Sequence, residues 1–362
     1  MFNDYSLNIC NYIKYILKHI IQNLTVRKYL DIIHYNKHIQ NELDISIKDY
    51  ILFSQIEIEL KIDPNLCSKD KNIFIKEYPN LKNLFHFYFN DDKEETKKNY
   101  INKNENISKI KIIIDYNVTT LDELFKDCNI IQEINFIRFN RKNVTNMSYM
   151  FHCCENLSKI FFNGFKTPNV ICMNNMFYKC ISLKEIDLNL FETKNVSDMS
   201  YMFYDCKTIQ KLNLTNFNTN KATNMSCTFG GCTSLKELKF PKEFTTDNVI
   251  DMSGMFMENN SIKKLDLSNF NTNKVTHMNW MFYMCGGLEE LNIINFNTNN
   301  VIDMYAMFSG CKNLSTLNIN PSLFNTKKAK DVFNMFENCP GILINKIKSE
   351  NKNIKYESYI SN

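Results

Sequence analysis

A phenylalanine returns at almost constant spacing through the last two thirds of the chain. Phe125, Phe151, Phe177, Phe203, Phe229, Phe256, Phe282, Phe308 and Phe336 are separated by 26, 26, 26, 26, 27, 26, 26 and 28 residues. Only an internal repeat gives that arithmetic, and a period of this length points to stacked units. Each unit reads C-x-x-L-x-x-L-x-L-x-x-F-x-T-x-x-V-x-x-M-x-x-M-F-x-x; from Cys206 it runs through Ile209, Leu212, Leu214, Phe217, Thr219, Ala222 and Met225. The two longer spacings have a visible source. One extra residue precedes Phe244 and two precede Phe324, beside Pro241 and Pro321, where a corner loop absorbs insertions without moving the core. One unit cannot bury its own apolar face, so the units must lean on each other and form one elongated domain.

Within the unit, L-x-x-L-x-L is the leucine-rich-repeat signature, whose L-x-L segment is a short strand with both leucines turned inward. The second half, V-x-x-M-x-x-M-F, has apolar residues three and four apart, which predicts a short helical or 3₁₀ turn on the opposite side. Before the first Met stand Asn146, Asp198, Asn224, Asp251, Asp303 and Asp331, types suited to capping a first helical turn; Cys172 and His277 interrupt this column and predict weaker caps. The fold class expected is therefore an α/β solenoid: a leucine-rich-repeat superhelix with a parallel β-sheet face and short helical turns opposite. Its expected extent is residues 107–344, about nine repeats, followed by a C-terminal tail or cap over 345–362.

The MFxxC element after a leucine-rich strand resembles the BspA-like leucine-rich repeats, the 26-residue kind found in many bacterial and protist surface proteins and lipoproteins. That resemblance covers roughly residues 107–344 and implies a non-enzymatic role in adhesion or in binding host proteins. It carries no shared set of binding residues with it.

Three columns of residues follow from the repeat. Cys128, Cys154, Cys180, Cys206, Cys232, Cys285, Cys311 and Cys339 recur in phase, with Asn259 in the sixth place. Points on a line do not supply a tetrahedral ligand set, so these are expected to be buried free thiols packing as small apolar groups, with no metal and no cofactor. Cys10, Cys67, Cys153, Cys172 and Cys227 lie outside the column and form no C-x-x-C pair. Thr167, Thr193, Thr219, Thr246, Thr272, Thr298 and Thr326 are expected to hydrogen-bond the corner backbone. On the solvent side of the strands, the residue before L-x-L alternates in sign: Glu133, Lys159, Glu185, Lys211, Glu237, Lys264, Glu290, then Thr316. On a parallel ladder each Glu would lie between two Lys, worth ~0.2–1 kcal/mol per pair. The central position reads Asn135, Phe161, Asp187, Asn213, Lys239, Asp266, Asn292 and Asn318. These two rows are the expected contact surface for a protein or peptide partner.

The first hundred residues are not repetitive. Helical spacing of Ile9, Ile13, Ile16, Leu17, Ile20, Ile21 and Leu24, continued by Leu30, Ile33, Ile39 and Leu43, predicts a helical region over 1–55. Residues 56–106 predict a β-containing cap: Ile56–Ile62 alternates with period two, Phe85–Phe89 looks like a second strand, and both could lie on a first rung around Ile110, Ile112 and Ile114. The stretch ILKHIIQNLTVRKYLDIIHYNKHIQNEL faintly resembles an F-box, which would imply a ubiquitin-ligase substrate adaptor, without the Leu-Pro start of that family. His34 and His38 lie one turn apart but are read as surface histidines.

The net charge is +4, zero over residues 1–100 and +4 over 101–362, so neither part is a polycation and nucleic acid is not suggested. No uninterrupted apolar run is long enough for membrane insertion, and the first thirty residues do not read as a secretory signal, which makes cytoplasm the expected location while the family resemblance leaves the cell surface open. With no phosphate loop, G-x-S-x-G or H-E-x-x-H motif, an enzyme is not expected. The leading reading is a leucine-rich-repeat interaction module binding a protein through its exposed sheet face; the alternatives are the F-box-like adaptor and a surface adhesin.

Overall fold

The computed structural model describes residues 55–76, 78, 83–115, 118–139, 143–242 and 244–359. The helical region expected over 1–55, with its F-box resemblance and its two histidines, lies outside these residues but for Gln55.

From Thr120 onward the chain winds as a β-solenoid whose coils are joined by two ladders. One ladder is the expected strand face. The other, on the turn side, runs through parallel bridges Thr120–Asn146–Cys172–Asp198–Asn224–Asp251–His277–Asp303–Asp331 without interruption. This side was expected to be helical, and it is not. The coil at Met147 shows why. The amides of Met147, Tyr149, Phe151 and Cys153 donate to the carbonyls of Cys172, Asn174, Met176 and Tyr178 in the next coil, at 3.1, 3.0, 2.9 and 2.7 Å. The alternate amides of Met150, His152 and Cys154 fold back onto the carbonyls three residues earlier. A helix would consume all of these amides within the coil and leave none to join neighbours. Two consecutive turns bury the same Met147, Met150, Phe151 and Cys154 while freeing every second amide for the next coil.

Each turn requires a left-handed third residue, Tyr149 at φ 58° and Cys153 at φ 56° in this coil, while the residue before it is not left-handed, as in a type II turn. The pair recurs at Glu123 and Asp127, Asn175 and Lys179, Tyr201 and Asp205, and onward to Asn334 and Asn338. Non-glycine residues in this region cost on the order of 1 kcal/mol each, and the inter-coil ladder offsets it. The residues expected as helix caps accept instead from the amide two residues on, as Asp198 does from Ser200 at 2.9 Å and Asp251 from Ser253 at 2.8 Å.

Inside, the repeated Phe forms a continuous file. Phe151, Phe177 and Phe203 stack at 5.3 Å between neighbouring ring centroids, and the file runs unbroken from Phe125 to Phe336. The Thr column does bond the corner backbone, and specifically that of the following coil: Thr193 Oγ1 donates to the Asn218 carbonyl at 2.9 Å and accepts from the Asn218 amide at 2.8 Å. Corner asparagines add a third tie, such as Asn216 and Asn295 reaching back to the carbonyls of Asn189 and Ser268.

The strand face begins differently from expectation. Strands β1 (Ile56–Ile62), β2 (Asn72–Ile73), β3 (Phe85–Phe89), β4 (Tyr100–Ile101) and β5 (Lys109–Ile114) precede the repeats. Strand β5 is no solenoid rung, because it pairs antiparallel with both β1 and β3. The first parallel rung is β6 (Ile131–Arg138), whose outer edge β1 occupies in antiparallel register, Leu60 facing Ile134. The following strands are β7 (Lys159–Phe162), β8 (Lys211–Asn213), β9 (Glu237–Lys239), β10 (Lys264–Asp266), β11 (Glu290–Asn292) and β12 (Thr316–Asn318). At the far end, helix α1 (Gly341–Glu350) buries Leu343 and Ile347, and residues 351–359 return to the last coil.

Candidate functional site

The strand face carries the residues singled out from sequence, and its continuity decides what they can do. Strands β6 and β7 pair in parallel with Glu133 opposite Lys159 and Asn135 opposite Phe161. Strand β8 pairs with β9, Lys211 opposite Glu237 and Asn213 opposite Lys239, while β10, β11 and β12 form a third group with Lys264, Glu290 and Thr316 in line. The alternating charges thus meet in register, but only within these groups. No strand forms at Glu185–Asp187, and β9 does not pair with β10.

The expected ladder, with each Glu between two Lys, is accordingly replaced by separate pairs. Lys211 meets Glu237 at 3.2 Å and Lys264 meets Glu290 at 2.7 Å. Glu237 turns its other oxygen to Lys239 of its own strand at 2.9 Å rather than to Lys264, and Glu133 pairs with Lys61 of β1 at 3.0 Å. Lys239 and Lys211 together hold the Glu237 carboxyl below its ordinary value. The break after β9 coincides with the extra residue beside Pro241; nothing in the local sequence distinguishes the coil at Glu185.

Several members of the central row have a structural use. The side-chain oxygens of Asp187, Asn213, Asp266 and Asn292 each accept from the amide two residues on and close the strand end, and Asn292 Nδ2 donates across to Asp266 at 2.9 Å. These bonds hold the Asp266 carboxyl below its ordinary value, the Ser268 amide contributing most. Asn135 accepts from Asn163 Nδ2 at 2.9 Å. Lys159 and Asn318 are exposed and make no side-chain hydrogen bond or ion pair among the described residues.

The interruption at Glu185 makes a depression of about 440 Å³, lined by Lys184, Glu185, Ile186, Gln210, Lys211, Leu212, Asn213, Glu237 and Lys239. From Lys184 to Asp187 no backbone amide or carbonyl joins the coil before or after, among the described residues. The inward Ile186 is only half-buried, whereas Leu212 one coil on is 1% exposed. Glu185 has no ion pair among the described residues, and the exposed Phe161 belongs to the preceding rung, in β7. The two strand-face rows thus supplied five of the lining residues, Glu185, Lys211, Asn213, Glu237 and Lys239, but gave no sign of the break that groups them.

The cysteine column is free, and buried at every member but the half-buried Cys339. Its thiols do more than fill space: from Cys154 onward each donates to the carbonyl of the Phe one coil back, Cys180 to Phe151 and Cys206 to Phe177 at 3.1 Å, and Asn259 does the same with Nδ2 to Phe229 at 2.8 Å, while Cys128 in the first coil turns to the Lys126 carbonyl. Burial pushes these thiols up, to about 12 for Cys232 and Cys285.

Among the described residues no helix is long and apolar enough to cross a membrane. No curated protein matches the chain. A leucine-rich repeat protein from Bacteroides ovatus, known from a crystal structure, is similar at 14% identity over 62% of this chain and 70% of its own, with a TM-score of 0.32. Residues 119–240 and 228–352 match the family described as "Mycoplasma protein of unknown function, DUF285". These are the residues whose units resemble the BspA-like repeats, and a solenoid with a 26-residue period fits that kind of repeat. Since the two stretches together span residues 119–352, well over half of its length, the chain belongs to the DUF285 family.

Proposed function

We propose that the chain is a non-catalytic interaction module that binds a protein or peptide partner on its strand face, centred on the break at Glu185. The observation that carries this reading is the run Lys184–Asp187, whose backbone groups lack ladder partners among the described residues, beside a half-buried Ile186 and a Glu185 with no ion pair among them. An extended segment laid on this site would gain main-chain hydrogen bonds from the open rung and apolar contact from Ile186 and Phe161. The surrounding charges are of both signs, with Lys184 and Lys211 beside Glu185 and Glu237, which suits a polypeptide and disfavours a phosphate backbone.

Replacing Glu185, Lys211 and Glu237 together with Ala tests the reading. Among the described residues the only ion pair lost between coils is the exposed Lys211–Glu237 contact, so Tm should move by no more than about 2–4 °C. Capture of the partner by the full-length variant should weaken by roughly tenfold or more, since 1.4 kcal/mol of lost contact suffices for that. Equal capture by variant and parent would remove the strand face from the account.

A further inference from the structure

On the turn side, away from the strand face, two adjacent coils bring a carboxylate, an imidazole and a thiol together. Asp127 and Cys153 hold the same place in successive coils, both left-handed at φ 61° and 56°, and the Asp127 amide donates to the His152 carbonyl at 2.8 Å. A carboxylate oxygen of Asp127, a ring nitrogen of His152 and Cys153 Sγ all lie within 4.8 Å of one another.

The imidazole is held in place. Its ring stacks on Tyr178 with centroids 4.6 Å apart and planes at 5°, and Tyr149 stands 5.4 Å away. In that position Nδ1 is buried without any hydrogen-bond partner, 3.9 Å from Asp127 Oδ1. A buried ring nitrogen left unsatisfied is costly and calls for a missing partner. The two nearest cations are engaged elsewhere: Lys126 pairs with Glu123 at 2.9 Å and lies over the Tyr149 ring, and Lys179 lies over the Tyr178 ring.

We propose that Asp127, His152 and Cys153 form a binding site for zinc, with three protein ligands from two adjacent coils and a fourth position open to solvent. The nitrogen, sulfur and oxygen donor set suits this borderline-soft ion. Bond lengths of about 2.0–2.3 Å place tetrahedral ligands roughly 3.3–3.7 Å apart, so the present spacing closes by small rotations of the Asp127 and Cys153 side chains. Cys153 binds as thiolate and releases its proton to solvent as the metal enters, so binding strengthens with rising pH. The site lies apart from the partner-binding reading and stands or falls separately.

The test uses the full-length reduced protein and Co²⁺ as a spectroscopic substitute for zinc. One equivalent should produce a sulfur-to-cobalt charge-transfer band that added Zn²⁺ displaces. The band should vanish in Cys153→Ser and persist in Cys172→Ser, which removes another half-exposed thiol. Asp127→Asn changes a side chain that is 63% exposed, so its fold is safe, and it should weaken binding by roughly tenfold or more. No band in the parent with excess Co²⁺, a band surviving in Cys153→Ser, or undiminished affinity in Asp127→Asn would each overturn the assignment.

Discussion

Asn259 shows what the cysteine column is for. In a series otherwise made of thiols, it keeps the donation to the Phe carbonyl of the previous coil, adds one to Phe256 at 2.9 Å, and leaves its own Oδ1 buried without a partner. Replacing it with Cys removes the unsatisfied oxygen and should stabilise the protein by about 1 kcal/mol, read as a higher midpoint in urea with an unchanged m-value. A lower midpoint would mean that the coil has adapted to the amide. Gly287 packs directly on the next residue of that coil, because a Cβ there would stand 1.9 Å from the Asn260 carbonyl oxygen. Gly287→Ala should therefore destabilise strongly although the residue has no left-handed backbone, and Asn259→Cys/Gly287→Ala should recover part of the loss if the two positions are coupled. From sequence the column was legible as buried free thiols. The carbonyl it serves was not, since that carbonyl points inward only because of the turn geometry. For the same reason the grouping of Asp127 with His152 and Cys153 was invisible: it depends on left-handed residues that side-chain type alone does not announce.

At the scale of elements, the Met-Met-Phe segment is where the sequence reading failed. Apolar residues at Met147, Met150, Phe151 and Cys154 satisfy a helix and a pair of turns equally, and the capping column did not separate them, because Asn and Asp accept from a nearby amide in either case. What decides is a property of the neighbours: every coil presents carbonyls at the right height for alternate amides of the one before. The strand segments were legible in position from L-x-L, but not the loss of the rung at Glu185. The Phe file was legible in full, and it should carry much of the stability. Phe203 is buried, stacked on Phe177 at 5.3 Å and Phe229 at 6.1 Å, and Phe203→Ala should cost about 3–5 kcal/mol in chemical denaturation. Thr193→Val keeps the shape but leaves the Asn218 carbonyl and amide without their partner, for a loss of about 1–3 kcal/mol. A loss near zero would mean that water replaces the hydroxyl at that corner.

Over the whole molecule the thiol column couples stability to alkali. Burial raises the thiols from an ordinary value near 9, to about 12 for Cys232, Cys285 and Cys339. The folded state thus prefers the protonated form, and its advantage is complete below the unfolded value and is lost as pH climbs toward the folded one. Tm should hold steady up to about pH 8 and fall progressively from about pH 9 to 12, more steeply than for a protein without buried thiols. An unchanged Tm at about pH 10.5 would contradict this, and thiol reagents should leave the column unmodified in the native state at pH 8.

The far end of the solenoid has its own consequence. Tyr359 stacks on Phe336 at 5.5 Å, the Phe336 amide donates to the Ser358 carbonyl, and the Lys355 amide donates to Thr326 Oγ1, so a non-repeating segment mimics the contacts of one more winding. With β1 seated on β6 at the other end, both faces of the stack are closed by pieces that do not belong to the period. The tally of windings is then independent of the termini: excising one whole period, residues 178–203, should yield a shorter but equally well-closed rod, whereas removing half a period should not fold at all.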